Sequence, residues 1–257
     1  MNHTLVAVIA CISLFIGMSL FFTIGHRLGR RRLQKEDTSP EVSSAIIGAL
    51  FALLGLLLAF TFSGAYSRFD ARRQLIVQEA NAIGTAYLRL DLLPVPAQAP
   101  LRERFREYAT SRAILYDKIG DNRALTNELA RASALQREIW TQGVAASKGP
   151  EYQSARMLLL PALNEMIDIV TTRTVAIQTH TPLHIFFIMF AIALACAGLT
   201  GYRTSISEHP SHFYNVLLSA ITACILYLIL DIEYPGFGLI RLDTVNQVLV
   251  ELANTMK

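Results

Sequence analysis

Four long apolar stretches constrain this chain more than any other feature of its sequence. The first runs from about Thr4 to Ile24 and the second from about Val42 to Ser63, and neither contains a charged residue. The third runs from about Leu183 to Tyr202 and the fourth from about Phe213 to Leu230. Roughly 20 apolar residues in a helix cross the hydrocarbon core of a bilayer. The sequence therefore predicts an all-α membrane protein with four transmembrane helices.

The composition supports a membrane protein and excludes several other classes. Only 17% of the 257 residues are charged, whereas a soluble domain usually carries about 25%. The net charge is +3, and the chain has no basic stripe with interleaved aromatic residues. We therefore predict no nucleic-acid partner. No motif of a nucleophile, a metalloprotease or a phosphate-binding loop occurs, so we predict neither an enzyme nor a cofactor. The expected partners are membrane lipids, further copies of the chain and inorganic ions.

The residues between the second and third spans form a different kind of segment. Apolar side chains recur there at helical spacing with charged residues between them, which predicts a bundle of amphipathic helices. Three prolines at positions 94, 96 and 100 are expected to end the helix that continues from the second span, with a second helix from about Leu101 to Ile119. Gly149-Pro150 predicts a break before the last helix of the bundle.

These features predict two membrane hairpins with a helical bundle inserted between spans 2 and 3. The predicted limits are 1–64 for the first hairpin, 65–181 for the bundle, 182–232 for the second hairpin and 233–257 for a C-terminal amphipathic segment. The loop at residues 26–41 holds five Lys or Arg residues and the N-terminal tail holds none. Short basic loops stay in the cytoplasm, so the bundle and both termini are predicted to be extracytoplasmic.

The second span carries small residues at intervals of three or four positions, which places them on one helix face. Such a face lets two helices pack closely in a membrane. The alternative is that this face, with the neighbouring phenylalanines, lines a pore or its apolar constriction. Both interpretations stay open on the sequence. The residues concerned are Ala45, Gly48, Ala52, Gly55, Ala59, Phe60, Phe62 and Ser63.

Charged and polar residues crowd the helix directly beyond the second span. They are either a solvated face with salt bridges, since Asp70 and Arg73 are three positions apart, or a charged vestibule that selects ions. In an oligomer each of these charges would repeat as a ring around the axis. The set comprises Arg68, Asp70, Arg72, Arg73, Glu79 and Asn81.

Two further groups of residues at the ends of the apolar stretches are candidate sites. Asp231 and Glu233 end the fourth span and need a partner or water there, which Arg241 can supply as an ion pair. Prolines interrupt the helical spacing of two histidine pairs, one at positions 180 and 184 and one at 209 and 212. A metal site needs a closed set of ligands with a second shell, so none is predicted.

Several segments resemble the bacterial bestrophin-like domain family. They are FSGAYSRFDARR at 62–73, EANAIGTAY at 79–87, LLP at 92–94 and DIEYPGFGLIR at 231–241. Bestrophins are oligomeric anion channels whose four-span subunits surround a pore lined by the second helix. The resemblance therefore implies a homo-oligomeric ion channel in the bacterial inner membrane. Two features differ: bestrophins hold the large insertion in the cytoplasm, and this chain has no acidic cluster like their calcium clasp.

The leading hypothesis is thus an ion channel with a pore lined by the second span. The alternative is a non-conducting membrane scaffold that binds a partner through the helical bundle. A channel requires a closed symmetric ring with the second spans at its axis, and a scaffold does not.

The predicted orientation is tested by labelling. A cysteine introduced at Asp121 is expected to react with a membrane-impermeant thiol reagent in intact cells, because the charge distribution places the bundle outside the cytoplasm. The native chain, whose three cysteines lie in apolar stretches, is the control. Labelling that appears only after lysis would reverse the topology.

Overall fold

The fold is built from α-helices throughout the residues that the computed structural model describes, which are 3–35, 43–115, 118, 122–206, 212–235, 240 and 242–256. No strand occurs within these ranges. Short 3-10 turns at Arg89–Leu92, Pro150–Tyr152 and Thr204–Ile206 connect some of the helices. The helices are α1 (His3–Gln34), α2 (Ser44–Leu88), α3 (Val95–Ile114), α4 (Asn122–Ala146), α5 (Gln153–Gln178), α6 (Leu183–Arg203), α7 (His212–Glu233) and α8 (Asp243–Thr255).

In the described part of the chain, four helical segments are long and apolar enough to cross a membrane, which confirms the predicted number of spans. They are Thr4–Gln34, Ser44–Leu92, Pro150–Arg203 and Phe213–Glu233. α1 and α2 continue well beyond the apolar stretches that define the spans, because the residues that follow are polar but good helix formers. The predicted start of the second span at Val42 lies outside the described residues. The pairing of the spans as two hairpins stays a prediction.

The chain divides into two compact units. The first comprises residues 1–67 and 180–239, and the second comprises residues 68–179 and 240–257. α1, α6, α7 and the first part of α2 belong to the first unit, whereas α3, α4, α5, α8 and the remainder of α2 belong to the second. α8, the helix of the predicted C-terminal amphipathic segment, belongs to the second unit.

The first unit contains a close helix–helix contact between α1 and α6. A Cβ atom added to Gly25 would lie 1.9 Å from the carbonyl oxygen of Gly198, and one added to Gly201 would lie 2.0 Å from that of Phe22. Only glycine fits at such distances, because the obstacle in each case is backbone. Small residues let membrane helices approach in this way, which replaces lipid contacts by dense backbone packing.

Three threonine hydroxyls in the apolar helices form hydrogen bonds within their own helix. Thr23 donates to the carbonyl oxygen of Ser19 at 2.9 Å, Thr61 to that of Leu57 at 2.7 Å and Thr222 to that of Leu218 at 2.9 Å. Each bond reaches back four residues along the same helix. A polar group left unpaired in hydrocarbon costs several kcal/mol, so these bonds make the hydroxyls compatible with membrane spans.

The second unit has an ordinary apolar core. Ile83 of α2, Phe105 and Tyr108 of α3 and Leu163 of α5 are almost completely buried in it. Burial of each large side chain contributes roughly 1.5–3 kcal/mol relative to exposure. α8 joins this core through Leu249, and Asn246 of α8 donates to the carbonyl oxygen of Ala113 at 2.7 Å near the end of α3.

The prolines of the second unit act differently from the sequence-based expectation. α3 begins at Val95, six residues before the predicted start at Leu101. Pro94 is its N-cap, Pro96 lies in the first turn and Pro100 lies inside the helix. A proline in a first turn costs little, because the N–H it lacks has no helical partner there. The predicted end of this helix at Ile119 lies outside the described residues.

Substitution of Gly25 tests the contact between α1 and α6. Gly25→Ala is expected to lower the free energy of unfolding by about 2 kcal/mol, because the new methyl group overlaps a backbone carbonyl. Gly48→Ala is the matched control, since nothing lies within 4 Å of a Cβ atom there and alanine favours a helix more than glycine. Thermal unfolding in detergent measures both. Equal midpoints for the two variants would contradict this packing.

Candidate pore-lining face and charged centres

The apolar part of α2 has two opposite faces. One face is buried and is formed by Ile47, Leu54, Leu58, Thr61 and Ala65. The other carries the small residues singled out in the sequence, and all six are exposed: Ala45, Gly48, Ala52, Gly55, Ala59 and Ser63.

The small-residue face is open within the chain. A Cβ atom added at Gly48 or at Gly55 would meet nothing within 4 Å. Phe60 and Phe62 are also accessible, with 67% and 41% of their surface exposed. Phe62 borders the small-residue face, whereas Phe60 lies about a quarter turn or more away from it, since successive residues are rotated by about 100° in a helix. Among the described residues, the closest helix contact is therefore between α1 and α6, whereas Gly48 and Gly55 on the small-residue face of α2 touch no other part of the chain.

The buried face of α2 packs against the other three membrane helices. The hydroxyl oxygen of Thr61, whose proton is donated to Leu57, lies 3.4 Å from the sulfur of Met189. A cavity of only about 10 Å³ lies where the four helices meet, and its walls are Leu14, Leu54, Leu58, Met189, Phe190, Ala193, Thr222 and Leu226. A space of that size holds about one water molecule at most. This contact region offers no aqueous path for an ion.

The predicted vestibule residues fall on different sides of α2. Asp70 and Arg73 are partly exposed and form an ion pair at 3.8 Å, and Asn81 is exposed. Arg68 is half-buried. Arg72 and Glu79 are buried, with 5% and 0% of their surface exposed, so the structure does not bring the six residues together on one surface.

Arg72 caps a helix. Its Nε donates to the carbonyl oxygen of Ala176 at 3.0 Å and its Nη2 to that of Thr179 at 2.8 Å. These carbonyl oxygens lie at the C-terminal end of α5, where the last four have no partner within the helix. A cation at this position also interacts favourably with the helix dipole. Arg72 is thereby engaged in the second unit by two backbone acceptors.

Glu79 lies at the centre of a buried triad with two arginines. Its carboxylate accepts hydrogen bonds from Nε and Nη2 of Arg112, the second at 3.2 Å, and forms an ion pair with Nη1 of Arg173. Nearby, Gln136 donates to the hydroxyl of Tyr108 at 2.9 Å, and burial raises the pKa of that hydroxyl above its ordinary value. Arginine keeps its proton in proteins, so the triad carries a net positive charge inside the bundle.

Arg112 and Arg173 were not identified from the sequence, although a signal was present. Arg112 continues the buried positions Leu101, Phe105 and Tyr108 of α3 at helical spacing. Arg173 continues in the same way from Leu163 and Met166 of α5. A charged residue in phase with an apolar stripe needs a buried partner of opposite sign, and Glu79 is that partner.

Glu233 anchors the start of α6. Its carboxylate accepts from the backbone N–H of Thr181 at 2.8 Å and from the Thr181 hydroxyl at 3.1 Å, and Nδ1 of His180 lies 3.4 Å away. His180 also stacks on Tyr234. An acid at a helix N-terminus is favourable for the helix dipole. Asp231 is buried as well. Arg241, which is predicted to pair with these two acids, lies outside the described residues.

Metal ligands are not clustered in the described part of the chain. No group of three or more His, Cys, Asp or Glu side chains there is arranged to hold a metal ion. The carboxylate of Glu233, with the Thr181 groups and His180 around it, forms a helix-end contact.

The triad is tested by a matched pair of amide substitutions on α2. Glu79→Gln is expected to lower the free energy of unfolding by about 3–5 kcal/mol, because it leaves two buried arginines without a counter-charge. Asp70→Asn removes a carboxylate from a surface pair and is expected to cost less than about 1 kcal/mol. Chemical denaturation measures both variants. Equal losses would contradict a buried, charged triad.

Solved structures with a similar fold include bacterial bestrophin homologues. Two crystal structures of variants of a bestrophin homologue from Klebsiella pneumoniae match with TM-scores of 0.70 and 0.68, at 17% and 18% identity. They cover 95% and 94% of this chain, and 98% of the homologue in each case. A crystal structure described only as a membrane protein matches with a TM-score of 0.68 at 16% identity, covering 94% of this chain and 99% of that one.

The sequence itself gives a match of a different kind. Among curated proteins, none matches this chain. The family model of the bestrophin-like domain, however, matches residues 10–245, which is most of the chain and includes most of the first span and the other three spans. This multi-pass membrane protein belongs to the bestrophin-like family.

Proposed function

We propose that this protein is a homo-oligomeric ion channel whose pore is lined by the exposed face of α2. The observation that carries the proposal is the open small-residue face of this helix. Gly48 and Gly55 have free space beside them, although the opposite face of the same helix is fully packed. Membership of the bestrophin-like family and the fold shared with bacterial bestrophin homologues support a channel.

The tight packing of the membrane helices within one chain favours an ion pathway that lies between several copies of the chain. The four membrane helices enclose a cavity of about 10 Å³, which is too small for a hydrated ion. A ring of α2 helices around an axis provides the missing space, since each copy contributes one open face. Small side chains on that face leave room for water, and Phe62 at its border supplies an apolar constriction of the kind that gates by dewetting.

The helical repeat of α2 determines which of its charged side chains would face the proposed ion pathway. Asp70 lies seven positions after Ser63, Arg73 three positions after Asp70, and Asn81 eight positions after Arg73. These intervals keep the three residues on the same side of the helix as the small residues, and all three are accessible. Each would repeat as a ring in an oligomer and act on ions at close range. Arg72 and Glu79 lie on the opposite, buried side and act on selectivity only through the fold.

We propose the same orientation in the inner membrane that the charges predict. Arg31 and Arg32 lie in the last turn of α1, and Arg203 ends α6. Nη1 of Arg32 donates to the hydroxyl of Tyr202 at 2.9 Å, so the basic ends of α1 and α6 lie side by side. This contact supports a common side for the two basic loops, and the positive-inside rule assigns that side to the cytoplasm.

A scaffold is the second candidate function, and one observation favours it. Leu88, Val95 and Met157 of the second unit are 69%, 79% and 70% exposed. Exposed apolar patches are typical of protein–protein contact sites, and exposed large apolar residues of this kind can contribute to one. A scaffold would use this surface to bind a partner and would conduct no ions.

Charge reversal on the proposed pore face tests the channel. In liposomes, Arg73→Glu is expected to shift ion selectivity several-fold towards cations, because a ring of positive charges becomes negative. Arg131→Glu is the matched control: Arg131 is 56% exposed and pairs with an acid three residues away at 3.9 Å, as Arg73 does at 3.8 Å. The control should keep the wild-type selectivity.

Two results would contradict the proposal in different ways. Absence of flux in the wild-type protein at all voltages and calcium concentrations would favour the scaffold. Flux with the same selectivity in both variants would keep a channel but remove Arg73 from its pathway.

A further inference from the structure

One exposed face of α1 changes from apolar to basic along the helix. Leu20 and Ile24 are exposed and four residues apart. Arg27 follows Ile24 after three residues and Arg31 follows Arg27 after four, so all of them share one side of the helix. Arg30 lies beside Arg31, and all three arginines are exposed. The face therefore presents aliphatic side chains followed by a group of three guanidinium groups.

The depth of these arginines matches the headgroup layer of a bilayer. Leu14 lies where the four membrane helices meet, halfway along the first apolar stretch. About 20 Å of helix separates Leu14 from Arg27 at 1.5 Å per residue. The hydrocarbon core extends roughly 15 Å from the centre of a bilayer, and the headgroups reach roughly 20–22 Å. Arg27 therefore lies at the level of the lipid phosphates, with Arg30 and Arg31 at the outer edge of this layer.

The three arginines have no acidic partner in the part of the chain that the structure describes. α1 contains no Asp or Glu, and Glu36 and Asp37 come after its end at Gln34, outside the described residues. Arg32 differs from the three, because it donates to the hydroxyl of Tyr202 at 2.9 Å and lies over that ring. The three exposed guanidinium groups thus keep their full charge where the dielectric constant is lower than in water, and attraction to an anion is stronger there.

A close backbone contact fixes the part of α1 that carries the arginines. A Cβ atom added to Gly29, which lies between Arg27 and Arg30, would be 2.6 Å from the carbonyl oxygen of Tyr202. α1 is therefore held against α6 at this level and cannot turn its basic face away from the surroundings. A preformed arrangement of donors loses little conformational freedom when a ligand binds.

We infer that Arg27, Arg30 and Arg31 bind the phosphate group of an acidic phospholipid whose acyl chains lie along Leu20 and Ile24. The guanidinium group binds phosphate oxygens through a fork of parallel N–H donors. Basic clusters next to a membrane span are typical of sites for acidic lipids.

The charge of the cluster makes the site selective among lipids. A zwitterionic phospholipid also carries a phosphate, but three neighbouring guanidinium groups repel its ammonium group. An acidic phospholipid has no such group and gains the full attraction. The site depends neither on ion conduction nor on the side of the membrane that holds the bundle.

Lipid selection by the full chain tests this inference. The protein is reconstituted in vesicles of equal amounts of phosphatidylglycerol and phosphatidylcholine with the same acyl chains. It is then extracted in mild detergent, and its retained lipids are counted by mass spectrometry. We expect about fivefold or more enrichment of phosphatidylglycerol on the wild-type protein, the ratio that one basic residue near the bilayer surface can supply. Arg27→Gln/Arg31→Gln is expected to lower this enrichment about threefold or more.

Matched variants separate the charge of this face from charge elsewhere. Arg131→Gln/Arg137→Gln removes two exposed arginines from α4 and should keep the wild-type enrichment. Arg27→Lys/Arg31→Lys retains both charges and should keep most of it, since lysine also binds phosphate as a point charge. Arg27→Gln alone, with an expected loss of about twofold, decides the question if the double glutamine variant does not insert in the membrane.

Four results would overturn the inference. Two are equal retention of both lipids by the wild-type protein and equal enrichment in the α1 and α4 glutamine variants. The third is displacement of phosphatidylglycerol by inorganic phosphate beyond that by sodium chloride of equal ionic strength, which would assign the arginines to a free anion. The fourth is a changed subunit number in the α1 glutamine variants alone, which would assign them to a second copy of the chain.

Discussion

The helical repeat of α2 is the constraint on which the rest of this structure depends. Because α2 is one helix from Ser44 to Leu88, the phase of its buried residues also decides which residues remain open. Ile47, Leu54 and Leu58 are buried among membrane helices, and Ile76 and Ile83 are buried in the bundle. The opposite side then exposes small residues first and Asp70 and Arg73 further along. The face that we propose to line a pore therefore needs no special motif.

Buried charged residues keep α2 from rotating and so maintain its buried and exposed sides. Glu79 holds Arg112 and Arg173 in the bundle, and Arg72 binds two carbonyl oxygens at the end of α5. Rotation of α2 would separate these partners and would leave charged groups unpaired in a nearly dry core, at several kcal/mol for each. The charges that resemble a vestibule in the sequence therefore include two that hold the helix in register.

Much of the fold was predictable from the sequence, because length and hydropathy are sufficient to identify membrane helices. The four spans and the all-helical character follow from apolar stretches with few charges. The start of α3 at Val95 does not follow from the sequence, since a group of prolines usually indicates a break although a first turn accepts them. The role of Gly25 and Gly201 was missed as well: they are as small as Gly48 and Gly55, but only the folded chain shows which glycines meet another backbone.

The candidate site was predictable in composition but not in geometry. The sequence indicated that Arg68, Asp70, Arg72, Arg73, Glu79 and Asn81 belong to one charged segment. Helical spacing places Arg73 and Arg72 on different sides of α2, but it does not show which side is buried, because that is decided by partners far along the chain, such as Arg112 and Arg173. The proposal that α2 faces an axis is tested most directly by an image of the purified particle in detergent. We expect a closed symmetric ring with Gly48, Gly55 and Ser63 of every copy facing the axis. A monomer, or a ring in which this face meets lipid, would contradict it.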